Sequence, residues 1–208
     1  MSAGSDSSPP AKASLNGLVL SGGASKRMGR DKALLTPAGV PQLSATFHLL
    51  SSHVDACFVS LRDEQRQEPL RAQFPGLVDG IAGIGPAAGL LAAHHAFPAA
   101  AWLVVACDLP QLDDATLAAL IDARTPHQVA VAYRSAHDGL AEPLCALWEP
   151  IALARLQSQV SAGRYRLRDV LGAPDVLLLD ALGNGALDNI NTPDDLENLQ
   201  RRMPSAQP

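Results

Sequence analysis

A cationic, glycine-rich segment directly follows an apolar run and ends at Lys32. Gly22 and Gly23 lack a Cβ, so the backbone there can adopt positive φ angles and a ligand can approach the main-chain N–H groups closely. Lys32 offers a compact positive charge and Arg27 a planar fork of donors, and both kinds of group bind phosphate oxygens. Four of the 16 Lys and Arg residues fall between Lys26 and Lys32. The residue types and their spacing therefore predict a site for a nucleoside triphosphate.

This segment matches neither of the common phosphate motifs. The P-loop pattern requires Gly-Lys-Ser/Thr after a four-residue gap, and the dinucleotide fingerprint requires Gly-x-Gly-x-x-Gly at the start of a helix. A polar surface loop whose charges serve solubility is the alternative. We favour the phosphate site, because such a loop has no need for paired glycines followed by Arg27, Gly29 and Lys32 at close spacing.

A second chemical feature is Asp108, which follows the apolar run 102–107. A buried strand here would deliver the carboxylate to the sheet edge at which the glycine-rich segment also emerges. Mg²⁺ takes oxygen ligands and commonly binds one or two carboxylates together with substrate phosphates. The alternative is an aspartate that accepts backbone N–H bonds in an Asx-turn. Because the two features occur together, we favour a magnesium-binding role for Asp108.

The segment Gly85-Pro-Ala-Ala-Gly89 has the composition of a helix start. Pro86 suits the first helical position, where an N–H would lack a partner in any case. The small side chains would also let the helix N-terminus approach a nucleotide, so that its base or ribose could contact backbone groups directly. A purely structural role for Gly85 and Gly89 stays open.

The apolar pattern predicts a scaffold of alternating strands and helices for these residues. Predicted strands cover Leu15–Leu20, Ala56–Leu61, Ala101–Ala106, 128–133 and Val176–Asp180, and predicted helices cover 42–53, 64–74, 86–97, 114–123 and 149–161. This alternation predicts an α/β fold of Rossmann-like type, with an open, mostly parallel sheet and helices on both faces. Ligands of such sheets bind beyond the carboxyl ends of the strands, where Gly22 and Asp108 are expected.

Composition indicates a single folded domain. The chain has 208 residues, of which 47% are hydrophobic and only 4% aromatic, and this favours an aliphatic core in which helices cover a buried sheet. We expect one domain over residues 15–203. The segments 1–14 and 204–208 lack apolar periodicity and are expected to be disordered tails.

Charge and cysteine usage exclude several classes of protein. The formal net charge of −5 argues against a nucleic-acid partner, because proteins that bind nucleic acids usually display a broad basic face. The sequence has no run of 18 apolar residues and no signal-peptide pattern, so we expect a cytoplasmic protein without a membrane partner. Cys57, Cys107 and Cys145 lie in apolar runs, which predicts buried thiols rather than disulfides or a zinc site.

Five segments together resemble a known family, the molybdenum cofactor guanylyltransferases and their relatives among the nucleotidyltransferases. The segments are Leu20-Ser-Gly-Gly-Ala-Ser-Lys-Arg-Met-Gly-Arg-Asp-Lys32, Gly85-Pro-Ala-Ala-Gly89, Cys107-Asp-Leu-Pro110, Glu142-Pro-Leu-Cys-Ala-Leu147 and Asn189-Ile-Asn-Thr-Pro193. They occur in the family's order and span most of the chain, and the first is the most specific. The resemblance implies a nucleotidyltransferase with an open α/β sheet.

The resemblance also implies a reaction, the Mg²⁺-dependent transfer of GMP from GTP to molybdopterin with release of pyrophosphate. Such chemistry needs no protein nucleophile, because the acceptor phosphate is already anionic and the enzyme aligns reactants and neutralises charge. Catalytic roles then fall to Arg27, Lys32 and Asp108, with Asp108 as the metal ligand. The expected nucleotide-binding residues are Leu20, Ser21, Gly22, Gly23, Lys32, Asp79, Gly85, Gly89 and Asp108.

Further residues are expected near the second substrate or the metal. Asn189 and Asn191 alternate as in a strand, so their amides would share a face, and in related enzymes such a pair lies near the nucleotide and metal. The alternative is a pre-helix turn. Arg164, Arg166 and Arg168 could receive the phosphate of a second substrate, and a solvated cationic stretch is equally consistent with the sequence.

Two acidic residues also keep alternatives. The resemblance aligns Asp79 with an acidic residue near the nucleotide, although a turn-forming carboxylate would fit as well. Glu142 lies in a segment that resembles one approaching the second substrate, and it could instead pair with one of the three arginines.

The choice of base is less constrained than triphosphate binding. Guanylyltransferases often have asparagines after the second strand, where this chain has Ser60-Leu61-Arg62. The alternatives are a cytidylyltransferase acting on the same pterin, another small-molecule nucleotidyltransferase, or, in a different class, a non-catalytic nucleotide-binding regulator. The partners implied are GTP and molybdopterin, with transient contacts to other cofactor-biosynthesis proteins.

Overall fold

The fold is built around one seven-stranded sheet, seen in a computed structural model that describes residues 12–21, 31–37, 39–190, 195, 197 and 201. The strands are β1 (Leu15–Leu20), β2 (Ala56–Leu61), β3 (Gly76–Val78), β4 (Ala101–Ala106), β5 (Ala130–Arg134), β6 (Ala141–Trp148) and β7 (Val176–Asp180). Their order across the sheet is β3-β2-β1-β4-β6-β5-β7. Among these seven described strands, only β6 runs antiparallel to its neighbours. The predicted open, mostly parallel α/β sheet is confirmed.

Helices cover both faces of this sheet. They are α1 (Gln42–Ser51), α2 (Ala87–Ala96), α3 (Asp114–Asp122), α4 (Pro150–Ser161) and α5 (Leu167–Leu171). Successive strand residues point to opposite faces, so Leu18 and Trp102 join the cluster with α2, α4 and α5, whereas Val19 and Leu103 join the cluster with α1 and α3. Because both faces of the sheet are buried, the strand sequences are nearly continuous apolar runs.

The sequence pattern predicted five of the seven described strands and missed two. Four of the five predicted strands have the predicted bounds, and the one at 128–133 is shifted to Ala130–Arg134. The missed strands are the short edge strand β3 and the antiparallel strand β6. β6 contains Glu142 and Pro143, and Pro inside an apolar run argues against a strand in the middle of a sheet. The ladder with β5 shifts register between Ala132 and Tyr133, opposite this part of β6.

The predicted helix at 64–74 is wrong. The structure has two 3₁₀ turns there, Asp63–Gln65 and Arg71–Gln73. Pro69 cannot donate a backbone hydrogen bond in a helix interior, and the Glu68 carboxylate accepts the N–H groups of Leu70 and Arg71, each at 3.0 Å. Local side-chain bonds therefore replace the helical ladder in this segment.

The predictions of disordered tails at 1–14 and 204–208 fall mainly on residues 1–11 and 204–208, which lie outside the described residues. Residues 12–14 are described, and the Arg124 guanidinium donates to the carbonyl of Ala13 at 2.8 Å. Within the described parts of the chain, no helix has the length and apolar character needed to span a membrane.

Candidate functional site

Lys32 and Asp108 meet at the point where the strand order reverses, beyond the carboxyl ends of β1 and β4. Lys32 opens a 3₁₀ turn that Asp31 caps by accepting the N–H of Ala33 at 3.1 Å. Asp108 lies two residues beyond β4, whose residues are all buried. The Lys32 ammonium donates to Asp108 Oδ2 at 2.9 Å, and the side chains are only 17% and 21% exposed. The structure thus brings two of the predicted catalytic residues together.

Backbone hydrogen bonds hold this edge of the sheet in register. Cys107 donates its N–H to the carbonyl of Leu20 at 3.2 Å, and Ser21 donates to the carbonyl of Ser60 at 3.3 Å. On the other side, the N–H of Ile190 donates to the carbonyl of Asp108 at 3.1 Å. The carboxylate of Asp108 therefore stands on a backbone that is fixed from both directions.

A pocket of about 610 Å³ opens on the β6 side of Asp108. Its walls come from the ends of β4, β5 and β6 and from the segment after β7. The residues with polar side chains among its lining are Asp108, Gln111, Ser135, His137, Glu142, Asn184, Asp188, Asn189 and Asp195. The predicted residue Asn189 therefore shares a pocket with Asp108. The volume is in the range of small-molecule sites, so this pocket can receive a substrate next to the Lys32–Asp108 pair.

The arginines after α4 do not act as one cluster. Arg168 pairs with Asp138 at 2.6 Å and approaches Glu142 at 3.6 Å, as the alternative interpretation of Glu142 expects. Arg164 is exposed in the turn between α4 and α5 and is not among the residues that line the pocket in the described chain. A role of Arg164 in binding the second substrate stays a prediction.

On the β2 side of the site, Asp79 is held by Ser60. The Ser60 hydroxyl donates to Asp79 Oδ1 at 2.7 Å. Burial raises the pKa of the Asp79 carboxyl above its ordinary value, against the opposing effects of this hydrogen bond and of Arg62. Gly89 of α2 packs onto Ser60 and Leu20, and a Cβ at Gly89 would lie 2.8 Å from the Leu20 side chain. These contacts place the start of α2 against the end of β1.

The turn before α2 needs its glycine for a different reason. Gly85 has a φ of +63°, a conformation that L residues with side chains rarely adopt. The prediction that Gly85-Pro-Ala-Ala-Gly89 starts a helix is confirmed, but Pro86 is the N-cap rather than the first helical residue, which is Ala87. Nucleotide binding by Gly85, Gly89 and Asp79 stays a prediction.

Several predicted site residues lie outside the described residues. They are Gly22, Gly23, Arg27 and Asn191. Their described neighbours Leu20, Ser21, Lys32 and Asn189 all lie at the same edge of the sheet or in the adjoining pocket. Their roles stay predictions.

The cysteines are free, buried thiols, as predicted. Burial raises the pKa of Cys107 to about 12, and the neighbouring Asp108 carboxylate acts in the same direction. Burial likewise raises the pKa values of Cys57 and Cys145 to about 12. A thiol protonated at neutral pH is a poor nucleophile and metal ligand, so burial disfavours a chemical role for the thiol beside Asp108.

Sequence reasoning missed Arg71, which is 1% exposed and contacts Ser21 and Asp31. The segment around Arg71 was expected to be helical. In a helix, Arg71 and Glu68 would form an ordinary ion pair between residues three positions apart. The one signal available from sequence was Pro69, which breaks that helix. The contacts to Ser21 and Asp31 span 50 and 40 positions of sequence, and no local pattern reports them.

Comparison with solved structures agrees with this architecture. The molybdopterin-guanine dinucleotide biosynthesis protein A of Archaeoglobus fulgidus aligns with a TM-score of 0.75 at 23% sequence identity, and the match covers 89% of this chain and 97% of that one. This likeness shows the fold of the chain, an open and mostly parallel α/β sheet with helices on both faces.

Sequence comparison defines the family. Residues 17–177 match the MobA-like NTP transferase domain, and the chain belongs to this family. A probable molybdenum cofactor guanylyltransferase from Natronomonas pharaonis is 30% identical over 90% of this chain and 97% of its own length. A molybdenum cofactor biosynthesis bifunctional protein from Synechocystis sp. is 34% identical over 87% of this chain, which spans only 52% of that longer relative.

Proposed function

We propose that this protein is a molybdenum cofactor guanylyltransferase that transfers GMP from GTP to molybdopterin. In this reaction a phosphate oxygen of the acceptor forms a bond to the α-phosphorus of GTP while the bond from that phosphorus to the bridging oxygen breaks, and pyrophosphate leaves. The observation that carries the proposal is the Lys32–Asp108 pair at the switch point, open to a pocket of about 610 Å³. Relatives named as probable guanylyltransferases, about 30% identical over most of the chain, support it.

The side chains at this edge suit binding and charge neutralisation rather than covalent catalysis. We assign the Lys32 ammonium, which pairs with Asp108, to the triphosphate, and the acceptor phosphate would approach from the pocket that contains Asn189. Because that phosphate is already an anion, the protein needs to align two substrates and offset their charge. The protonated thiol of Cys107 takes no part in bond formation.

Mg²⁺ is part of the proposal, with Asp108 as its protein ligand. Lys32 occupies Oδ2 of Asp108, and in the described chain no group of three or more His, Cys, Asp or Glu side chains could hold a metal by itself. A single carboxylate, that of Asp108, suits Mg²⁺, because this ion commonly binds one or two carboxylates and takes its other ligands from substrate phosphates and water. When bound, the ion supplies charge neutralisation on the triphosphate.

The direct test is pyrophosphate release from each of the four nucleoside triphosphates in the presence of molybdopterin, with Mg²⁺ or with a chelator. We expect turnover with GTP that the chelator abolishes. Turnover with CTP instead would make the protein a cytidylyltransferase, the alternative that Ser60-Leu61-Arg62 keeps open. Tight triphosphate binding without turnover would identify a nucleotide-binding regulator. We also propose a cytoplasmic location, which the three free, buried thiols support.

A further inference from the structure

Arg71 is a charged side chain with almost no contact with solvent. It is 1% exposed and lies in the 3₁₀ turn Arg71–Gln73. Burial alone would lower the pKa of the guanidinium, but the hydrogen bond and the charge of Asp31, together with the charge of Glu68, raise it above its ordinary value. A buried charge is tolerated only when it is paired and hydrogen-bonded, and Arg71 meets both conditions.

The partners of Arg71 lie on both sides of the glycine-rich segment 22–30. Its Nε donates to Ser21 Oγ at 3.1 Å, and one terminal nitrogen donates to the Ser21 carbonyl at 3.0 Å. The same nitrogen reaches Asp31 Oδ1 at 3.1 Å, and the other lies 2.8 Å from Asp31 Oδ2. Ser21 directly precedes the segment and Asp31 directly follows it. One side chain therefore joins the two described flanks of the segment.

Each flank is also fixed to a part of the site. The Ser21 hydroxyl donates to the carbonyl of Ser60 at 2.9 Å, which ties it to β2. Asp31 caps the 3₁₀ turn that begins with Lys32, so the carboxylate held by Arg71 sets the start of the turn that carries the Lys32 ammonium. The Glu68 carboxylate also binds this guanidinium, with 3.2 Å between Glu68 Oε2 and a terminal nitrogen of Arg71.

We propose that Arg71 is a positioning residue that fixes the separation of Ser21 and Asp31 and thereby the place of Lys32 against Asp108. This inference rests on the proposed function, because it concerns the alignment of a triphosphate. A guanidinium presents several donors in a rigid plane and can bind a carboxylate with two bonds while it reaches a carbonyl. A lysine at this position keeps the charge but loses that geometry.

The alternative is that Arg71 only stabilises the fold, and the chain offers a matched control. Arg124 is 7% exposed, binds Glu149 with two nitrogens at 2.5 and 3.1 Å, and donates to the Ala13 carbonyl at 2.8 Å. Arg124 thus has the same kinds of bonds as Arg71, and neither Arg124 nor Glu149 lines the pocket.

The experiment compares Arg71→Lys with Arg124→Lys in the full chain, below the unfolding temperature of both. We expect both variants to unfold at lower temperature, and only Arg71→Lys to lower kcat for pyrophosphate release, by about tenfold or more, because small displacements of reacting groups are costly. Combined with Lys32→Ala, Arg71→Lys should add little to the loss, because it acts through Lys32. Wild-type kcat and KM for GTP in Arg71→Lys, or full additivity with Lys32→Ala, would overturn the proposal.

Two further measurements keep the outcome decisive. If Arg71→Lys does not fold, Glu68→Gln loosens the same guanidinium without altering Ser21 or Asp31, and it should lower kcat in the same direction. Unchanged kcat and KM in Glu68→Gln would then contradict the proposal. If the wild-type protein itself releases no pyrophosphate from any triphosphate, the proposed function fails separately. GTP affinity measured by calorimetry then tests Arg71, with weaker binding expected in Arg71→Lys and unchanged binding in Arg124→Lys.

Discussion

Gly89 of α2 and Ser60 of β2 are packed so closely that a Cβ on Gly89 would overlap the Ser60 hydroxyl oxygen. The same hydroxyl donates the hydrogen bond that holds Asp79 at 2.7 Å. Because Gly89 lacks a side chain, α2 can approach the sheet closely, and the Ser60 hydroxyl can hold the Asp79 carboxylate beside the site. Gly89 and Asp79, two of the predicted nucleotide-binding residues, are therefore linked through one serine.

We expect Gly89→Ala to lower the free energy of unfolding by about 1–3 kcal/mol, because overpacking forces neighbouring side chains to move. GTP binding should weaken as well, because Ser60 can no longer hold Asp79 in place. Denaturant unfolding and calorimetric titration with GTP measure the two effects. Gly80→Ala is the control, because Gly80 adjoins Asp79 but a Cβ added at Gly80 would meet no atom within 4 Å. Equal behaviour of the two variants would show that the contact with Ser60 is unimportant.

Asp108→Asn tests the acidic member of the central pair. The variant keeps the size of the side chain and removes its charge, so we expect turnover to fall by about a hundredfold or more, as for the loss of other charge-stabilising groups. Its cooperative unfolding transition should remain. Pyrophosphate release at saturating GTP and molybdopterin is the measurement, and Asp175→Asn is the control, since Asp175 pairs with Arg155 outside the pocket. Near-normal release by Asp108→Asn would remove Asp108 from the proposed mechanism.

The sheet and the central pair could be predicted because their signals are local. The strands are apolar on both faces, as Leu18 and Val19 of β1 show by entering different helix-covered clusters, and such runs are visible in sequence. Asp108 follows such a run directly, Lys32 ends the glycine-rich segment that follows another, and the carboxyl ends of neighbouring parallel strands meet at one edge. The rule for ligand sites in open α/β sheets then places the two residues together.

The parts that escaped prediction depend on contacts far apart in sequence. The direction of β6 and its place between β4 and β5 follow from pairings such as Trp102 with Trp148, which no local pattern encodes. Arg71 lies in a segment that was predicted to be helical, and the contacts that bury it, with Ser21 and Asp31, span 50 and 40 positions of sequence. The resemblance identified Asp79 as a site residue, but its hydrogen bond to Ser60 depends on the pairing of β2 with β3, which the sequence pattern did not predict.

The raised pKa of Asp79 predicts how stability depends on pH. Burial raises this pKa above 3.8, and a carboxyl whose pKa is higher in the folded state contributes stability at low pH that is lost as pH rises through the folded-state value. We therefore expect Asp79→Asn to be more stable than the wild type at neutral pH, and the difference to vanish as pH falls below the raised pKa. Denaturant unfolding of both proteins from about pH 3 to about pH 8 measures this.

Asp138 is a control for the Asp79 experiment, because its pKa is shifted in the opposite direction. The N–H of Leu140 and the guanidinium of Arg168 lower the pKa of this exposed carboxyl, so its contribution is present above the unfolded-state value and lost as pH falls through the folded-state value. Asp138→Asn should therefore reduce stability at neutral pH. A wild-type pH profile in Asp79→Asn would contradict the effect of burial on Asp79.

The three thiols should resist alkylation in the folded protein. Burial raises the pKa of each of Cys57, Cys107 and Cys145 to about 12, so almost no thiolate is present near neutral pH, and thiolate is the reactive form. We expect iodoacetamide at about pH 8 to label none of them in the native protein and all three in denaturant, as read by mass spectrometry. Cys107→Ala should still release pyrophosphate, because in the proposed reaction the acceptor phosphate is the nucleophile. Rapid native labelling of Cys107, or loss of turnover in Cys107→Ala without loss of folding, would instead give that thiol a part in the reaction.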